Sequence, residues 1–362
     1  MQLGISYYIF NSIDIASLDT KGNILKVEFE TKQPLINQCG RIASTISVII
    51  PAASDSENLP IRSFLKDLNY PKNKVEVILS VGRWPSVQRN CAAGTAKGDI
   101  LYFINRDTRL EPDIFNKIIK IINKDERVAG VGGPDLIPAD NSYAQHLFGY
   151  AMGSYFAHWK MRARYLQVGR ERISSESELL LSNLAVKREI YLKANGFDNR
   201  LYPNEENELI NRISKMGYKF IYSPDMKIYR DKRRSLFEFS RQFFKYGQGR
   251  MNQILIEGVF KNLPFLCPLL LLIYVLILAF LKKSWINLGP LFAYITLGII
   301  DALYLSLKNK KNMILQLFAI YVIMHISYAS GLLSRLLTIF KRPQYKKDGL
   351  DKVKIKSIKS FN

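Results

Sequence analysis

An acidic residue that follows an apolar run is the first candidate for chemistry in this chain of 362 residues. The run Ile100–Ile104 predicts a buried strand, and Asp107 lies just beyond its carboxyl end. A carboxylate there can hold a divalent cation against a diphosphate, because Mg²⁺ prefers oxygen ligands and shares its coordination with phosphates. An aspartate after a strand is also a common turn residue or helix cap, so the position alone leaves both interpretations open.

Strands that alternate with helices must position this residue. Apolar runs at Ile46–Pro51 and Val75–Ser80 predict two more buried strands, and helical patterns follow at Val87–Lys97 and Pro112–Asn123. Such alternation indicates a mostly parallel sheet with helices on its faces, and ligands of such sheets bind beyond the carboxyl ends of the strands. Three segments are therefore candidates for a ligand site: Pro51–Asp55, Ser80–Pro85 and Asn105–Thr108.

A second acidic feature consists of Glu205 and Glu206. The pair lies at the start of a helix that is predicted around Glu206–Met216 and that Gly217 closes. The helix macrodipole favours carboxylates at an N-terminus whatever their role. On the residues alone, this structural interpretation is preferred to a catalytic one.

The charge of the chain limits its partners. The formal net charge is +21, which implies an anionic partner such as nucleic acid, acidic lipid or a phosphorylated substrate. No zinc-finger spacing and no aromatic RNA-binding motif occurs, so no nucleic-acid partner is expected. Cys39, Cys91 and Cys267 are too widely separated for a metal site or a disulfide framework. Basic residues beside apolar stretches favour anionic membrane lipids instead.

Three apolar stretches near the C-terminus predict membrane helices: Pro264–Leu281, Ile286–Leu305 and Met313–Leu337. A helix needs about 20 apolar residues to cross a bilayer, so the first stretch is marginal, and buried core helices are the alternative. We expect no signal peptide, and the basic tail should stay with the N-terminal part in the cytoplasm. Three complete spans would separate the two, so the first stretch is the candidate that does not span.

Further patterns follow one another along the chain: ISVIIPA (Ile46–Ala52), QRNCAAGTAKGD (Gln88–Asp99), SNLAVKREIYLKANGFD (Ser182–Asp198), NEENELINRISKMGYK (Asn204–Lys219) and RQFFKYGQGR (Arg241–Arg250). Together with DILYFINRDTRLEPD (Asp99–Asp113), they resemble the motifs of family 2 glycosyltransferases, in the same order. The last pattern resembles membrane-anchored exopolysaccharide enzymes of the succinoglycan type. The resemblance covers about Ile46–Arg250, and the shared order makes coincidence a poor explanation.

This resemblance implies a GT-A fold, which is an α/β domain with a Rossmann-like, mixed and mostly parallel sheet, followed here by C-terminal transmembrane helices. It implies transfer of a sugar from a nucleotide-sugar donor to a saccharide or lipid-linked acceptor, with a carboxylate as general base in inverting members. Glu206 matches that base, with Glu205 beside it, and Asp107 matches a ligand of Mn²⁺ or Mg²⁺. The matching donor-binding residues are Pro51, Ala52, Arg83, Arg89, Asn90, Asn105, Arg106 and Asp107. The acceptor side is assigned Asn183, Arg230 and Arg250.

Several residues depart from the family pattern. Asn105 replaces the first carboxylate of the metal loop, Val77–Pro85 lacks the carboxylate that binds base and ribose, and Arg230 replaces a usual His. One interpretation is that Arg83, Arg106 and Arg230 supply the positive charge that a metal would bring. The other is that donor binding is lost, and the chain is a catalytically inactive subunit of a polysaccharide assembly complex.

The predicted organisation has four parts: an N-terminal extension (1–45) with an edge strand at Ile24–Thr31, a GT-A domain (46–255), a membrane domain of two to three helices (256–340) and a basic cytoplasmic tail (341–362). We expect a multi-pass protein of the cell (inner) membrane, with its glycosyltransferase domain in the cytoplasm, in polysaccharide or glycolipid biosynthesis. Its expected partners are the donor, the acceptor, membrane lipids and other polysaccharide-assembly proteins. A processive synthase is the weakest alternative, because its Gln-x-x-Arg-Trp motif is not evident.

Overall fold

The computed structural model describes residues 44–54, 67–282, 284–338 and 353–358. The N-terminal extension up to residue 43 lies outside these ranges, and so does its predicted edge strand at Ile24–Thr31. The described residues form a mixed α/β domain followed by three long apolar helices.

Two sheets organise the α/β domain. The strands are β1 (Ile46–Ala52), β2 (Val75–Val81), β3 (Ile100–Ile104), β4 (Arg109–Leu110), β5 (Val128–Gly132), β6 (Asp135–Leu136), β7 (Arg172–Ser174), β8 (Asn183–Lys187), β9 (Lys219–Tyr222), β10 (Ile228–Tyr229) and β11 (Lys354–Ile358). The larger sheet has the order β11-β2-β1-β3-β8-β5-β9-β7. Strands β1, β2, β3, β5 and β9 run in one direction, and β7, β8 and β11 run in the other. The sheet is therefore mixed and mostly parallel, as predicted.

The central strand β1 illustrates why the apolar runs become strands. Ile46, Val48 and Ile50 pack into the core on one face of the sheet, while Ile49 packs into the core on the other. A strand that is buried on both faces must be apolar at almost every position. Its carboxyl end lies at the same edge of the sheet as those of its parallel neighbours β2 and β3, where the sequence predicts the ligand site.

Helices cover the faces of this sheet and continue into the apolar C-terminal part. They are α1 (Pro85–Thr95), α2 (Ile114–Ile122), α3 (Tyr143–Met152), α4 (Tyr155–His158), α5 (Arg188–Lys193), α6 (Glu205–Lys215), α7 (Leu236–Glu257), α8 (Cys267–Leu278), α9 (Trp285–Lys308) and α10 (Ile314–Leu337). Helix α1 begins two residues earlier than predicted, because Pro85 is favoured in the first turn, where its missing N–H is not needed.

A second, small sheet has the strand order β4-β10-β6. Each of its strands is two residues long. Such short strands carry no periodic pattern, which is why the sequence did not predict them. This sheet positions the site, because β10 pairs with β4 and so brings the residue after it, Arg230, towards the loop that contains Asp107.

Three segments of the C-terminal part are long and apolar enough to cross a membrane, which suggests membrane association. The first, Phe260–Leu278, consists of a 3-10 helix (Phe260–Leu266) and α8. The other two are α9 and α10. Helix α10 lies along α7, and the close approach depends on glycines: a Cβ on Gly331 would lie 2.0 Å from the backbone oxygen of Phe244.

We expect Gly331→Val to destabilise the contact between α7 and α10 by about 1–3 kcal/mol, because the two helices must move apart. Gly289→Val is the matched control, since a Cβ on Gly289 of α9 meets nothing within 4 Å. Thermal unfolding of the detergent-purified variants measures the difference. Equal melting temperatures for the two variants would contradict this packing.

Part of the predicted basic tail belongs to the large sheet. Strand β11 pairs antiparallel with the edge strand β2, from Lys354 opposite Val81 to Ile358 opposite Val77. Ile355 packs against the core beside Ile49, whereas Lys354 and Lys356 are exposed. This alternation is typical of an edge strand with one buried face. The chain therefore returns to the α/β domain after its apolar helices.

Candidate active site

The ends of β1 and β2 are joined by a side chain of α1. The Nε2 atom of Gln88 donates to the backbone oxygens of Ala52 at 2.7 Å and Ser80 at 2.5 Å. Pro51 and Ala52 thus lie at a fixed edge of the sheet, where the predicted donor site begins. The exposed Arg83 follows β2 at the same edge.

The next residues of α1, Arg89 and Asn90, make contacts within the protein. The guanidinium of Arg89 donates to the carboxylate of Glu205 at 2.8 Å, and both side chains are buried. Asn90 holds the turn after α5: its amide nitrogen donates to the backbone oxygen of Phe197, and its amide oxygen accepts from the backbone N–H of Phe197, both at 2.9 Å. The two residues predicted to bind the donor therefore position the segment that leads to α6.

The glutamate pair opens α6, and its two members differ in their partners. Burial and the neighbouring Glu206 raise the pKa of Glu205 to about 7, although the charge of Arg89 acts in the opposite direction. Glu206 makes no hydrogen bond or ion pair within the part of the chain that the structure describes, and it is 9% exposed. A carboxylate that is nearly buried and has no partner among the described residues is available to accept a proton from a ligand.

The loop after β3 contains a chain of alternating charges. Arg230 donates from Nε to Oδ1 of Asp107 at 3.2 Å and from Nη1 to Oδ2 of Asp135 at 3.0 Å. Lys232 donates to the other oxygen of Asp135 at 2.9 Å. Burial alone would lower the pKa of Arg230, but the carboxylates of Asp135 and Asp107 outweigh it and raise that pKa above its usual value. Arg230 is therefore a fixed and permanently charged cation beside Asp107.

Two other arginines at this edge have no partner in the part of the chain that the structure describes. Arg83 and Arg106 each follow the end of a strand by two residues, and both are exposed. Neither makes an ion pair or a hydrogen bond with the residues that the structure describes. Strands β2 and β3 flank β1, so their ends are about 10 Å apart, which is within reach of one diphosphate for two long side chains. Asn105 lies half-buried at the start of the turn that Thr108 closes.

Two residues predicted on the acceptor side are instead enclosed by protein. Asn183 is fully buried, accepts from the hydroxyl of Tyr102 at 2.8 Å and donates to the backbone oxygen of Met226 at 2.6 Å. Arg250 is 1% exposed and donates to both carboxylate oxygens of Glu176, at 2.9 and 3.0 Å. Their contacts stabilise the domain, and neither side chain can touch an acceptor in this conformation.

Comparison with known proteins identifies the family. The family model for "Glycosyl transferase family group 2" matches residues 100–330, from β3 into α10. The chain belongs to this family. The prediction of a family 2 glycosyltransferase is thereby confirmed, whereas the resemblance to succinoglycan-type enzymes stays a prediction. The comparison with curated proteins gives no match.

A solved structure shares the fold of this family 2 glycosyltransferase. It is the mannosyltransferase PcManGT from Pyrobaculum calidifontis in complex with GDP-Man and Mn²⁺, with a TM-score of 0.50 and 14% sequence identity. The similarity covers 81% of this chain and 87% of that chain. The predicted GT-A fold is confirmed by this match, and that relative binds its donor together with a divalent cation.

The residues of this family 2 glycosyltransferase fit a conventional metal site poorly. Among the described residues, no group of three or more His, Cys, Asp and Glu side chains could hold a metal ion. At the metal loop, Asn105 and Arg106 precede a single carboxylate, Asp107, which already accepts from Arg230. A cation such as Mn²⁺ needs several oxygen ligands, and the neighbouring guanidinium repels it.

Sequence reasoning missed the residues that hold Arg230 in place. Asp135 and Lys232 are buried; Asp135 lies in the two-residue strand β6, and Lys232 lies three residues beyond the end of β10. Their separation of nearly one hundred residues gives no local signal in a single sequence. The available signal is a Lys or Asp within a segment that is predicted to be buried. Such a residue is rarely buried unless it is paired, so it indicates a partner elsewhere in the chain.

Proposed function

We propose that this chain transfers a sugar from a nucleotide-sugar donor to a hydroxyl group of a saccharide or lipid-linked acceptor, in polysaccharide or glycolipid biosynthesis. The observation that carries the proposal is the carboxylate of Glu206 at the start of α6, which has no partner among the residues that the structure describes. The family and the GT-A fold supply the reaction class, and Glu206 is the position that matches the base in the family pattern.

In the proposed reaction the acceptor oxygen attacks the anomeric carbon of the sugar while Glu206 takes the hydroxyl proton. The bond between that carbon and the phosphate oxygen breaks, and its electron pair leaves with the nucleoside diphosphate. Attack from the side opposite to the leaving group inverts the anomeric configuration. The ion pair between Glu205 and Arg89 keeps the N-terminus of α6, and with it Glu206, in place.

The catalytically inactive subunit remains the competing function, because Asn105 and the missing carboxylate after β2 weaken the conventional donor site. Donor binding separates the two. We expect one nucleotide sugar from a panel of UDP, GDP, ADP, CDP and dTDP sugars to raise the melting temperature of the detergent-purified protein. The relative PcManGT makes GDP-mannose a natural member of that panel. A protein that no donor stabilises would support the inactive subunit.

A membrane location is part of this proposal, and we propose for it an arrangement other than three simple spans. Asp301 in α9 accepts from the hydroxyl of Ser154 at 2.6 Å, and Ser154 caps α4 of the α/β domain. The part of α9 before Asp301, residues 285–300, is about 24 Å long. Since the hydrocarbon core is about 30 Å thick, α9 cannot cross it while Asp301 stays with the α/β domain.

Helix α10 is subject to a similar constraint. It lies along α7, to which it is joined by a hydrogen bond of 2.7 Å between the hydroxyls of Ser327 and Ser240. Helix α7 exposes Glu238, Arg241 and Lys245, which are costly in hydrocarbon. In addition, β11 follows α10 and pairs with the large sheet, so the chain ends its apolar part on the side of the α/β domain.

We infer that α8, α9 and α10 lie along the cytoplasmic membrane face, with their outer apolar sides immersed, instead of crossing as a multi-pass bundle. Phe280, Trp285 and Ile286 are 91%, 83% and 87% exposed at the turn between α8 and α9, where they can enter lipid. Trp159 and Lys160 of the α/β domain combine an aromatic and a basic side chain, which is typical of a membrane interface.

Single cysteines test this orientation in a variant whose own cysteines are replaced by serine. We expect Lys282→Cys, between α8 and α9, and Lys311→Cys, between α9 and α10, to react with an impermeant maleimide in inverted membrane vesicles. The control Lys120→Cys on α2 reports the side of the α/β domain. Labelling of Lys282→Cys only from the opposite side would contradict the surface arrangement and support a multi-pass protein.

A further inference from the structure

The ion pair between Asp107 and Arg230 occupies the place where a cation would contact the loop after β3. Nε of Arg230 lies 3.2 Å from the carboxylate oxygen Oδ1 of Asp107, so a positive charge is already built into the protein there. The other side of the guanidinium is anchored to Asp135, which is 3% exposed and which also pairs with Lys232. Carboxylates on two sides of the guanidinium therefore hold the positive charge of Arg230 at a fixed position.

Two exposed arginines at the same edge of the sheet add further positive charge. Arg83 and Arg106 follow β2 and β3, and neither has an ion-pair partner within the described ranges. Arginine is suited to phosphate because its planar guanidinium donates two parallel hydrogen bonds to phosphate oxygens. Beyond the ends of β2 and β3, which flank the central strand, there are thus two guanidinium groups without a partner in the described ranges, and a third is anchored beside Asp107.

We propose that the diphosphate of the donor is bound by the guanidinium groups of Arg230, Arg106 and Arg83 and not by a divalent cation. This inference rests on the proposed function and specifies its donor site. When the bond between sugar and phosphate breaks, the electron pair moves to the phosphate oxygen, and the fixed guanidinium charges stabilise the nucleoside diphosphate that leaves. The acceptor proton still goes to Glu206.

Asp107 has an unusual role in this arrangement. In a metal site its carboxylate would attract the cation and so strengthen binding of the donor. Here it competes with the phosphates for Arg230, because the two anions accept from the same guanidinium. Its side chain is 48% exposed, so it can be displaced into solvent when the phosphate takes its place. Removal of the Asp107 carboxylate should therefore weaken donor binding in a metal site and should not weaken it in the arginine arrangement.

Calorimetry with UDP, GDP, ADP, CDP and dTDP, each in EDTA and in Mn²⁺, provides the test. We expect the nucleotide that binds to do so with the same affinity in both buffers, within about twofold. Asp107→Asn should keep or increase that affinity, and Arg230→Gln should reduce it by roughly tenfold to a hundredfold, as for loss of a charged hydrogen bond. Arg109→Gln is the matched control, since Arg109 pairs with Asp140 and Asp231 and should leave binding unchanged.

The contrary results are distinct. Binding that requires Mn²⁺ and is lost in Asp107→Asn would overturn the inference while leaving the proposed function intact. Absence of binding by any nucleoside diphosphate, in either buffer, would contradict the proposed function and the inference together. Melting temperatures of the same samples report folding. Should Arg230→Gln fail to fold, Asp107→Asn alone decides, because it changes an exposed carboxylate.

Discussion

Glu206→Gln is expected to lower kcat for sugar transfer by roughly 10²- to 10⁴-fold, because an amide cannot accept the proton of the acceptor hydroxyl. The affinity for the donor should change little, since the amide has nearly the shape of the carboxylate. Initial rates of transfer, together with donor binding, measure both effects. The expected pattern is a loss in kcat alone.

A control on the same helix makes this result specific. Glu208 lies half a turn further along α6, and its carboxylate accepts from Arg212 at 2.7 Å. Glu208→Gln should keep kcat within a few-fold, because this carboxylate is occupied within the helix. If Glu206→Gln were as active as Glu208→Gln, Glu206 would not be the base.

The second large effect concerns stability. Arg89→Met should lower the free energy of unfolding by about 3–5 kcal/mol, because it leaves the carboxylate of Glu205 buried without its counter-charge. Loss of Arg89 also removes the influence that lowers the pKa of Glu205, which burial already raises to about 7. The folded variant then prefers Glu205 in its protonated form. The free energy of unfolding of the variant is therefore retained at low pH and falls as the pH rises through the pKa of Glu205 in the folded state.

The deficit of Arg89→Met should therefore be larger at pH 8 than at pH 6, as measured by chemical unfolding in detergent. The double variant Arg89→Met, Glu205→Leu removes both charges and should recover most of the lost stability. A single variant as stable as the unmodified protein at both pH values would show that the pair contributes nothing. A double variant no better than the single would show that packing, and not charge, is responsible.

The main strands and the start of α6 could be predicted because their signals are local. Residues 46–50 and 100–104 are continuous apolar runs, and a buried parallel strand requires such runs. Strand β11 was not predicted, because a short alternation of Lys and Ile in a basic tail suits solvent equally well. Strand β11 pairs with the edge strand β2, which lies about 270 residues earlier in the sequence, and no local pattern predicts a contact over such a separation.

The site was predicted less completely, for a physical reason. A motif gives the residue type at a position but not the partner that its side chain finds in the fold. The resemblance assigns Arg250 to the acceptor side, yet in the fold its guanidinium pairs with Glu176, which lies 74 residues earlier in the chain. The sequence identifies Arg230 as a replacement for His. It does not predict the ion pair with Asp135 that holds Arg230, because this pair depends on a sheet of two-residue strands. Long-range ion pairs of this kind require the three-dimensional structure.

Transfer of a labelled sugar by the purified protein is the direct test of whether this chain is an active glycosyltransferase with Glu206 as its base. The donor that stabilises the protein against heat is incubated with a lipid extract, in EDTA, and the extract is analysed for a labelled product. We expect labelled product and an equal amount of released nucleoside diphosphate, both reduced by roughly 10²-fold or more with Glu206→Gln. Bound donor without any product, under conditions in which the protein stays folded, would contradict this expectation and identify the chain as an inactive member of its family.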